Sequence, residues 1–294
     1  MLDYILLLGS ALLFSMQIIF TKLFETKCGK AFYATTCFSL VSSVLVLAVL
    51  LIVSGFHVTF TPFSVLMGGL LAAVTVATNL VGIKAMALGK VSVYTLFLML
   101  GGMLVPFLVG VVWLNEPLKW EYVIASILLL IAMLFPTFDP AETRGGNKKT
   151  HLLFLALCVV LFLLNGANST IGKLHQIDAA AVGTTDFLII DYLFETGISL
   201  VLFLLCRPRE KYRCAVQKDT IISAFGFGIV HIVATFLQLY CATTVNASMM
   251  YPFVTGGTLV FTPLLTLFLF KEKINKYTVA CIILSVAASI LFAF

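Results

Sequence analysis

Apolar stretches of about 20 residues follow one another along almost the whole chain. A helix rises 1.5 Å per residue, so roughly 20 apolar residues cross the ~30 Å hydrocarbon core of a bilayer. Backbone polar groups in lipid must pair within the chain, which predicts that these stretches are helices of an all-α integral membrane protein. Ten spans are expected, at residues 4–23, 31–54, 63–87, 91–114, 120–138, 152–173, 183–206, 219–243, 246–270 and 277–294.

The composition excludes an ordinary soluble enzyme. Of 294 residues, 61% are hydrophobic and 11% are charged, whereas soluble chains average about 45–50% apolar and about 25% charged residues. The seven cysteines are scattered without a CxxC pair and no HExxH sequence occurs, so we expect no metal site, no cofactor and no enzymatic activity. The modest formal net charge of +5 implies no nucleic-acid partner.

The basic residues alternate between the connections that join the predicted spans. Fifteen Lys and Arg fall in the odd-numbered connections and two in the even-numbered ones. Because basic loops stay in the cytoplasm, both termini are predicted to lie outside a plasma membrane, such as the bacterial inner membrane. Lys84 lies about one turn inside the cytoplasmic end of the third span, where it is expected to snorkel toward water or to line an inner mouth and attract anions.

The second half of the sequence repeats the first. Five spans per half is an odd number, so the second copy must enter the membrane from the opposite side, as in the inverted repeats of secondary transporters. The predicted units are residues 1–138 and 151–294, joined by a cytoplasmic loop at 139–150. The matched positions are Gly101-Gly102 with Gly256-Gly257, Tyr122 with Tyr277, Glu116 with Glu272, Gln17 with Asn168, and Lys22 with Lys173.

Two sets of five spans, a Gly-Gly pair followed by a proline, and a glutamate just past the fourth and ninth spans (NEPL, KEKI) occur together in this chain. In this combination the sequence resembles the drug/metabolite transporter superfamily, specifically its EamA type, over nearly the full length. The resemblance implies a secondary carrier of small metabolites or drugs. Termini in this family are often drawn inside, whereas the charges here predict them outside.

Polar side chains recur at helical spacing on several of the predicted spans. In lipid, such side chains turn toward a cavity or toward a partner helix. One interpretation is a water-filled cavity near the membrane midplane, and the other is hydrogen bonding between packed helices. The predicted cavity-lining residues are Gln17, Asn79, Asn165, Asn168, Thr235, Gln238, Tyr251 and Thr255.

Three ionisable residues fall near the middle of the predicted membrane. Asp191 and Glu195 are four residues apart and share one face of the seventh span, and His231 lies in the eighth. A charge at this depth costs at least about 2.5–3.5 kcal/mol, so these side chains are predicted to face protein or water. Their counterparts in the first half are neutral, so the fold does not require the charges: Ser42, Val46 and Val76.

Our hypothesis is that Glu195, with Asp191 and His231 as neighbours, binds protons and a positively charged substrate group competitively. Because one carboxylate cannot hold both, binding one releases the other, and the result is antiport. The alternative is a buried polar network that holds the seventh and eighth spans together.

Other residues are expected to have structural roles. The paired glycines are expected to bring the fourth and ninth spans close together, and Glu116 and Glu272 to cap the helices that follow them. Spans five and ten carry few polar residues and are expected at the periphery. Ser285 and Ser289 favour a homodimer contact there, through close packing of small residues.

These patterns favour a proton-coupled exporter of small cationic, zwitterionic or amphipathic compounds. The expected partners are a small-molecule substrate, protons and the lipid bilayer. One alternative is a carrier of a neutral or lipid-linked substrate in which the carboxylates are structural. Another is a membrane scaffold without transport activity, which would leave the polar stripes unexplained. An anionic substrate is disfavoured, because no Arg lies within any predicted span.

Overall fold

The computed structural model describes residues 2–28, 32–88, 91–135, 148–206, 210–270 and 276–292. Within these ranges the chain forms eleven helices joined by short turns. The helices are α1 (Leu2–Cys28), α2 (Phe32–Val53), α3 (Pro62–Leu88), α4 (Val91–Val112), α5 (Trp120–Leu134), α6 (Lys148–Ile177), α7 (Thr184–Leu205), α8 (Glu210–Val216), α9 (Lys218–Cys241), α10 (Ala247–Phe270) and α11 (Lys276–Phe292).

Eight of these helices are long and apolar enough to cross a membrane, namely α1–α4, α6, α7, α9 and α10. The protein is therefore an all-helical, multi-pass membrane protein. The remaining two predicted spans coincide with α5 and α11, which have 15 and 17 residues. At 1.5 Å per residue these helices are about 22–26 Å long, shorter than the ~30 Å hydrocarbon core. The count of ten spans stays a prediction.

The described structure departs from the predicted segments in two connections. α6 begins at Lys148, so the last part of the predicted loop at 139–150 is already helical. Residues 136–147 lie outside the described residues. α8 is a seven-residue helix within the connection that follows α7, where the sequence pattern predicted only a loop.

The C-terminal end of α4 is set by local sequence. Pro117 cannot donate a backbone hydrogen bond and disfavours helical geometry in the preceding residue, and Asn115 adopts a positive φ of 52°. The chain therefore turns back, and the Glu116 amide donates to the Gly110 carbonyl at 3.0 Å. The Glu116 carboxylate lies so close to Gly110 that a side chain on Gly110 would collide with it. This turn places Glu116 above the end of α4.

The contacts between helix ends define two faces of the molecule. α1 begins beside the end of α9, where Cys241 Sγ donates to the Asp3 carbonyl at 3.9 Å. α1 ends beside the start of α9, where Lys27 and Asp219 form an ion pair at 2.7 Å. We call the face at which α1 begins the N-terminal face, and the other the opposite face. α1 and α9 thus cross the molecule in opposite directions.

Helices that the predicted repeat would pair run in opposite directions between these faces. α6 ends at the N-terminal face, where Lys173 reaches the carbonyl of Ala242 just after α9, whereas α1 begins there. α3 begins at that face, where the Ser64 hydroxyl lies 2.8 Å from His175 Nε2 near the end of α6, whereas α9 ends there. Likewise α4 ends at the N-terminal face beside the start of its equivalent, α10.

Helices of one half pack mainly against helices of the other half. If each helix is replaced by its counterpart in the other half, the α1–α9 pair corresponds to the α6–α3 pair. Both pairs are in contact. The same exchange converts α4–α6 into α10–α1, and α2–α9 into α7–α3, again with contact in each pair. The pairs α2–α7, α4–α10 and α5–α11 map onto themselves. Among the described residues, each hydrophobic core cluster contains residues of both halves.

The paired glycines permit close helix contacts, but not mainly with the predicted partner. The atoms nearest to Gly101 and Gly102 belong to Phe162 and Asn165 of α6 rather than to α10. Gly257 lies against Ala11 of α1, and α10–α1 is the contact equivalent to α4–α6. The prediction of a direct α4–α10 glycine contact is therefore wrong. Gly101, Gly102 and Gly257 face the first helix of the other half, and Gly256 faces Ser289 of α11 and Leu129 of α5.

The small residues assigned to a homodimer contact lie inside the protein. Ser285 is fully buried in α11, and the Ser289 hydroxyl is next to the position that a Cβ on Gly256 of α10 would take. α11 also packs against α5. The assignment of these two serines to an exposed packing face is wrong, because α5, α10 and α11 bury that side of the helix together.

We expect Gly101→Ala to destabilise the protein by about 1–3 kcal/mol, because the new Cβ would overlap the backbone of Phe162 in α6. Gly197→Ala in α7 is the matched control, because nothing lies within 4 Å of its Cβ position, and replacing a helical glycine there stabilises by up to ~1 kcal/mol. The measurement is the unfolding midpoint of each purified variant in detergent. Equal midpoints would contradict the close α4–α6 contact.

Candidate functional site

Two carboxyl groups lie one turn apart on the buried side of α7. Asp191 is 7% exposed and Glu195 is 9% exposed. α7 packs between α2 and α3 on this side, and the backbone of Asp191 lies against Gly68 of α3, where a Cβ would be 3.3 Å from the Asp191 nitrogen. The absence of a side chain on Gly68 lets α3 approach α7 at this level. Both carboxyl groups therefore lie in the protein interior, away from lipid.

The acidic pair is incompletely satisfied by the protein. Asp191 Oδ1 is buried and has no hydrogen-bond partner among the described residues. A buried polar atom without a partner is uncommon in native structures, because its desolvation is not offset. Such an oxygen can bind a proton, or it can accept a hydrogen bond from a water molecule or from a cationic group. Eight buried side-chain atoms of the described residues lack a partner, and Asp191 Oδ1 is the one carboxylate oxygen among them.

A small cavity lies along the same side of α7, beyond the acidic pair. The Ser199 hydroxyl lies 3.1 Å from the Ser39 hydroxyl of α2 across this cavity. Its walls come from the start of α2, the end of α3 and the end of α7, so it lies toward the opposite face. The lining residues are Thr35, Thr36, Ser39, Val76, Asn79, Leu80, Ser199 and Leu202.

Helical spacing connects the cavity to the carboxyl groups. Asp191, Glu195, Ser199 and Leu202 follow one another at intervals of four, four and three residues, which places them on one face of α7. Ser199 and Leu202 line the cavity, and Glu195 comes one turn further toward the N-terminal face. The cavity and the acidic pair thus lie along one face of α7, with the cavity nearer the opposite face.

His231 lies elsewhere. Its Nδ1 is 3.0 Å from Gln17 Oε1 of α1, and its ring stacks on Phe227 at a centroid distance of 5.6 Å. Phe14 of α1 meets the ring edge-on at 6.0 Å. Phe227 belongs to α9 itself, whereas the contacts with Gln17 and Phe14 join α9 to α1 and not to α7. The three ionisable residues grouped in the sequence analysis therefore divide into an acidic pair and a separate His231–Gln17 pair.

Several polar side chains predicted to line a cavity instead join helices. Asn165 donates to the Leu98 carbonyl of α4 at 2.7 Å. Asn168 donates to Thr75 Oγ1 of α3 at 3.2 Å. The Tyr251 hydroxyl donates to the Ser169 carbonyl of α6. For these residues the packing interpretation of the polar stripes describes the observed contacts.

The remaining predicted residues have different positions. Asn79 lines the cavity described above. Thr235, Gln238 and Thr255 are partly buried and are not among the residues that line it. Lys84 is exposed near the end of α3, toward the opposite face, as snorkelling predicts.

A buried ion pair that the sequence patterns do not predict lies at the N-terminal face. Lys173 Nζ lies 4.0 Å from Glu116 Oε1, and each side chain is 7% exposed. Glu116 was expected to cap α5, but its carboxylate accepts from the backbone amides of Ala247 and Ser248 and so caps α10. The sequence repeat could have pointed to these two residues. It aligns Glu116 with Glu272 and Lys173 with Lys22, so each half has the same charged residue at the matched position. Glu272 lies outside the described residues.

A second missed residue is His175, which is completely buried near the end of α6. Its ring stacks against Phe187 of α7 at 3.6 Å and against Phe63 of α3 at 5.8 Å. Its Nε2 lies 2.8 Å from the hydroxyl of Ser64. The residue joins three helices at the N-terminal face. Among the described residues, no three His, Cys, Asp or Glu side chains are arranged to hold a metal ion.

No protein-family model and no curated protein match the chain. Among solved structures, 28 chains match. One of them, a crystal structure of a protein, has a TM-score of 0.76 and 13% sequence identity, and the match covers 99% of this chain and 98% of that chain. At this identity the likeness shows a shared fold over the whole length and carries no information about activity.

We expect Ser39→Cys to react with a water-soluble maleimide, because Ser39 lines the cavity. Ser43→Cys, one turn further along α2, is the matched control and is expected to stay unreactive, because Ser43 is completely buried. Both are made in a variant in which the seven native cysteines are replaced. Equal labelling rates in the folded protein would show that the cavity is not open to water.

Proposed function

We propose that the protein is a proton-coupled secondary transporter that exports small cationic, zwitterionic or amphipathic compounds by alternating access. The observation that carries the proposal is the buried pair of carboxyl groups on α7, one oxygen of which lacks a partner. A scaffold has no use for such a pair, whereas a carrier of cations needs a site of this kind. With a neutral or lipid-linked substrate the pair would have only a structural role, and a structural role does not explain the oxygen without a partner.

The depth of the acidic pair suits a transport site. α7 extends from Thr184 to Leu205, and Glu195 is at its centre. An ionisable residue at the middle of a membrane-spanning helix is costly and is typically found on substrate or proton pathways. Two neighbouring carboxyl groups that share one site favour exchange, because a proton and a cationic substrate group compete for the same oxygens.

The fold supports a carrier of the inverted-repeat type. Equivalent helices of the two halves run in opposite directions, and their contacts map onto each other when the halves are exchanged. We infer ten spans arranged as two inverted five-helix repeats, as in the EamA type of the drug/metabolite transporter superfamily. In such carriers the site lies near the midplane between the repeats. The acidic pair of α7 faces α3 of the other half, which fits that position.

The charge distribution suggests the orientation of the carrier. Because basic residues mark the cytoplasmic side, we infer that the opposite face is cytoplasmic, that both termini are outside, and that the membrane is a plasma membrane. The cavity would then lie on the cytoplasmic side of the acidic pair, the side from which an exported substrate arrives. Basic residues of the described helices toward the opposite face include Lys27, Lys84, Arg213, Lys218 and Lys276.

We expect Glu195→Gln to lower proton-driven efflux at least about tenfold, because loss of a buried charge partner costs ~2 kcal/mol or more. The measurement is efflux of an organic cation from proteoliposomes with an imposed proton gradient, together with proton release when that cation is added to purified protein. Asp186→Asn, in the first turn of the same helix, is the matched control and should behave like the wild type, because Asp186 lies at the N-terminal face.

Two results would contradict the proposal. Unchanged efflux and proton release in Glu195→Gln would remove this residue from the mechanism. Wild-type efflux that does not respond to the proton gradient would exclude proton coupling.

We expect Arg213→Cys in α8 to be labelled by an impermeant maleimide only from the cytoplasmic side, and Thr243→Cys after α9 only from outside. Both residues are exposed, and the structure places them at opposite faces. Intact cells and inverted vesicles report the two sides separately. Labelling of Arg213→Cys from outside intact cells would reverse the proposed orientation.

A further inference from the structure

Three helix ends meet at the buried ion pair on the N-terminal face. Lys173, near the end of α6, donates to the carbonyls of Ala242 and Val245 at 2.7 and 2.8 Å. These carbonyls belong to the connection between α9 and α10. Lys173 therefore fastens the end of α6 to this connection, and its side chain is withdrawn almost completely from solvent.

Glu116 fastens the same connection from the other half of the chain. Its two carboxylate oxygens accept from the amides of Ala247 and Ser248 at 2.8 and 2.9 Å. These amides begin α10 and have no partner within the helix, and the positive end of the helix dipole favours an anion there. Because Glu116 follows α4, this contact joins the two halves directly.

A further contact lies one turn deeper. The Tyr251 hydroxyl of α10 donates to the Ser169 carbonyl of α6, one turn before Lys173. The start of α10 is thus held to the end of α6 at two levels and to the end of α4 at one. Around these contacts, Leu7 of α1 and Met250 of α10 are completely buried. These contacts close the interior beneath the α9–α10 connection. A pocket of about 220 Å³ lies at the N-terminal face outside them, lined by Asp3, Tyr4, Tyr122, Thr244, Val245, Asn246 and Met249. The α2–α3–α7 cavity, of about 20 Å³, lies toward the opposite face.

We infer that Lys173 and Glu116 form a latch that closes the N-terminal face and that releases once in each transport cycle. The inference rests on the proposed function, because alternating access requires the N-terminal face to open. α4, α6 and α10 cannot separate at this face while Lys173 and Glu116 hold the α9–α10 connection. The pair controls which face is open and does not contact the acidic pair of α7.

An ion pair suits a contact that must break repeatedly. Breaking a buried ion pair by removing one partner is strongly unfavourable, because the other charge stays buried and unpaired. Opening of the face differs from removal of one partner, because water then reaches both charges and replaces their partners. The same contact therefore stabilises the closed state strongly, and breaking it costs little free energy once water reaches the charges. Packed apolar side chains would be exposed to water at each opening instead.

The test follows opening of each face with one cysteine. Val254→Cys in α10 reports on the N-terminal face, because Val254 is buried beneath the latch, and Ser39→Cys reports on the cavity at the opposite face. Each is combined with Glu116→Gln or Lys173→Met in a background without the seven native cysteines. The measurement is the rate of maleimide labelling of the purified protein in detergent.

We expect either latch variant to raise the labelling rate of Val254→Cys roughly tenfold and to lower that of Ser39→Cys, because the population shifts toward a state open at the N-terminal face. Lys173→Arg keeps the charge and should restore rates near those of the unaltered latch. Glu121→Gln, an exposed carboxyl group near the same face, is the matched control and should change neither rate.

A contact that only stabilises the fold would not shift the two labelling rates in opposite directions. If both rates rise together with a lower unfolding midpoint, the pair stabilises the fold and is not a latch. If neither rate changes, the latch is also excluded. Normal proton-coupled efflux in the wild type together with either of these results would overturn the latch but leave the proposed transport function. Absence of efflux in the wild type would overturn the proposed function, whatever the labelling shows.

Discussion

The cost of placing a polar or charged group in hydrocarbon governs this structure. It forces the backbone into helices and turns the few ionisable side chains inward. Asp191 and Glu195 are consequently buried between α7 and its neighbours, and Lys173 is paired with Glu116 where helix ends meet. Burial of the acidic pair and pairing of Lys173 with Glu116 are two different ways of satisfying this constraint.

The sequence predicts the helices well, because apolar length is a local property. Every predicted span coincides with a helix, and the eight longest have the length and composition of membrane spans. It predicts poorly which neighbour a polar side chain meets. Asn165 was expected in a cavity but binds a carbonyl of α4, because helical periodicity fixes the face of a residue and leaves the identity of the facing helix open.

The same limit explains the two most informative differences at the site. His231 was grouped with Asp191 and Glu195 by depth, yet it contacts Gln17 of α1, since depth gives no position around the bundle. Glu116 was correctly expected to cap a helix, but the helix that it caps begins 131 residues later in the chain. Contacts between residues so far apart in the chain depend on how the two halves pack against each other. The sequence of one half alone does not show this packing.

The two halves build equivalent interfaces with different chemistry. α2 packs against α9 and, in the equivalent position, α7 packs against α3. In the first interface Val46, the sequence counterpart of Glu195, lies against Gly228 and is buried. An aliphatic side chain is therefore sufficient for packing at this position. The second interface bears Asp191 and Glu195 at the corresponding positions, so packing alone does not require the acidic pair, which is what the proposed binding of a cation or a proton would explain.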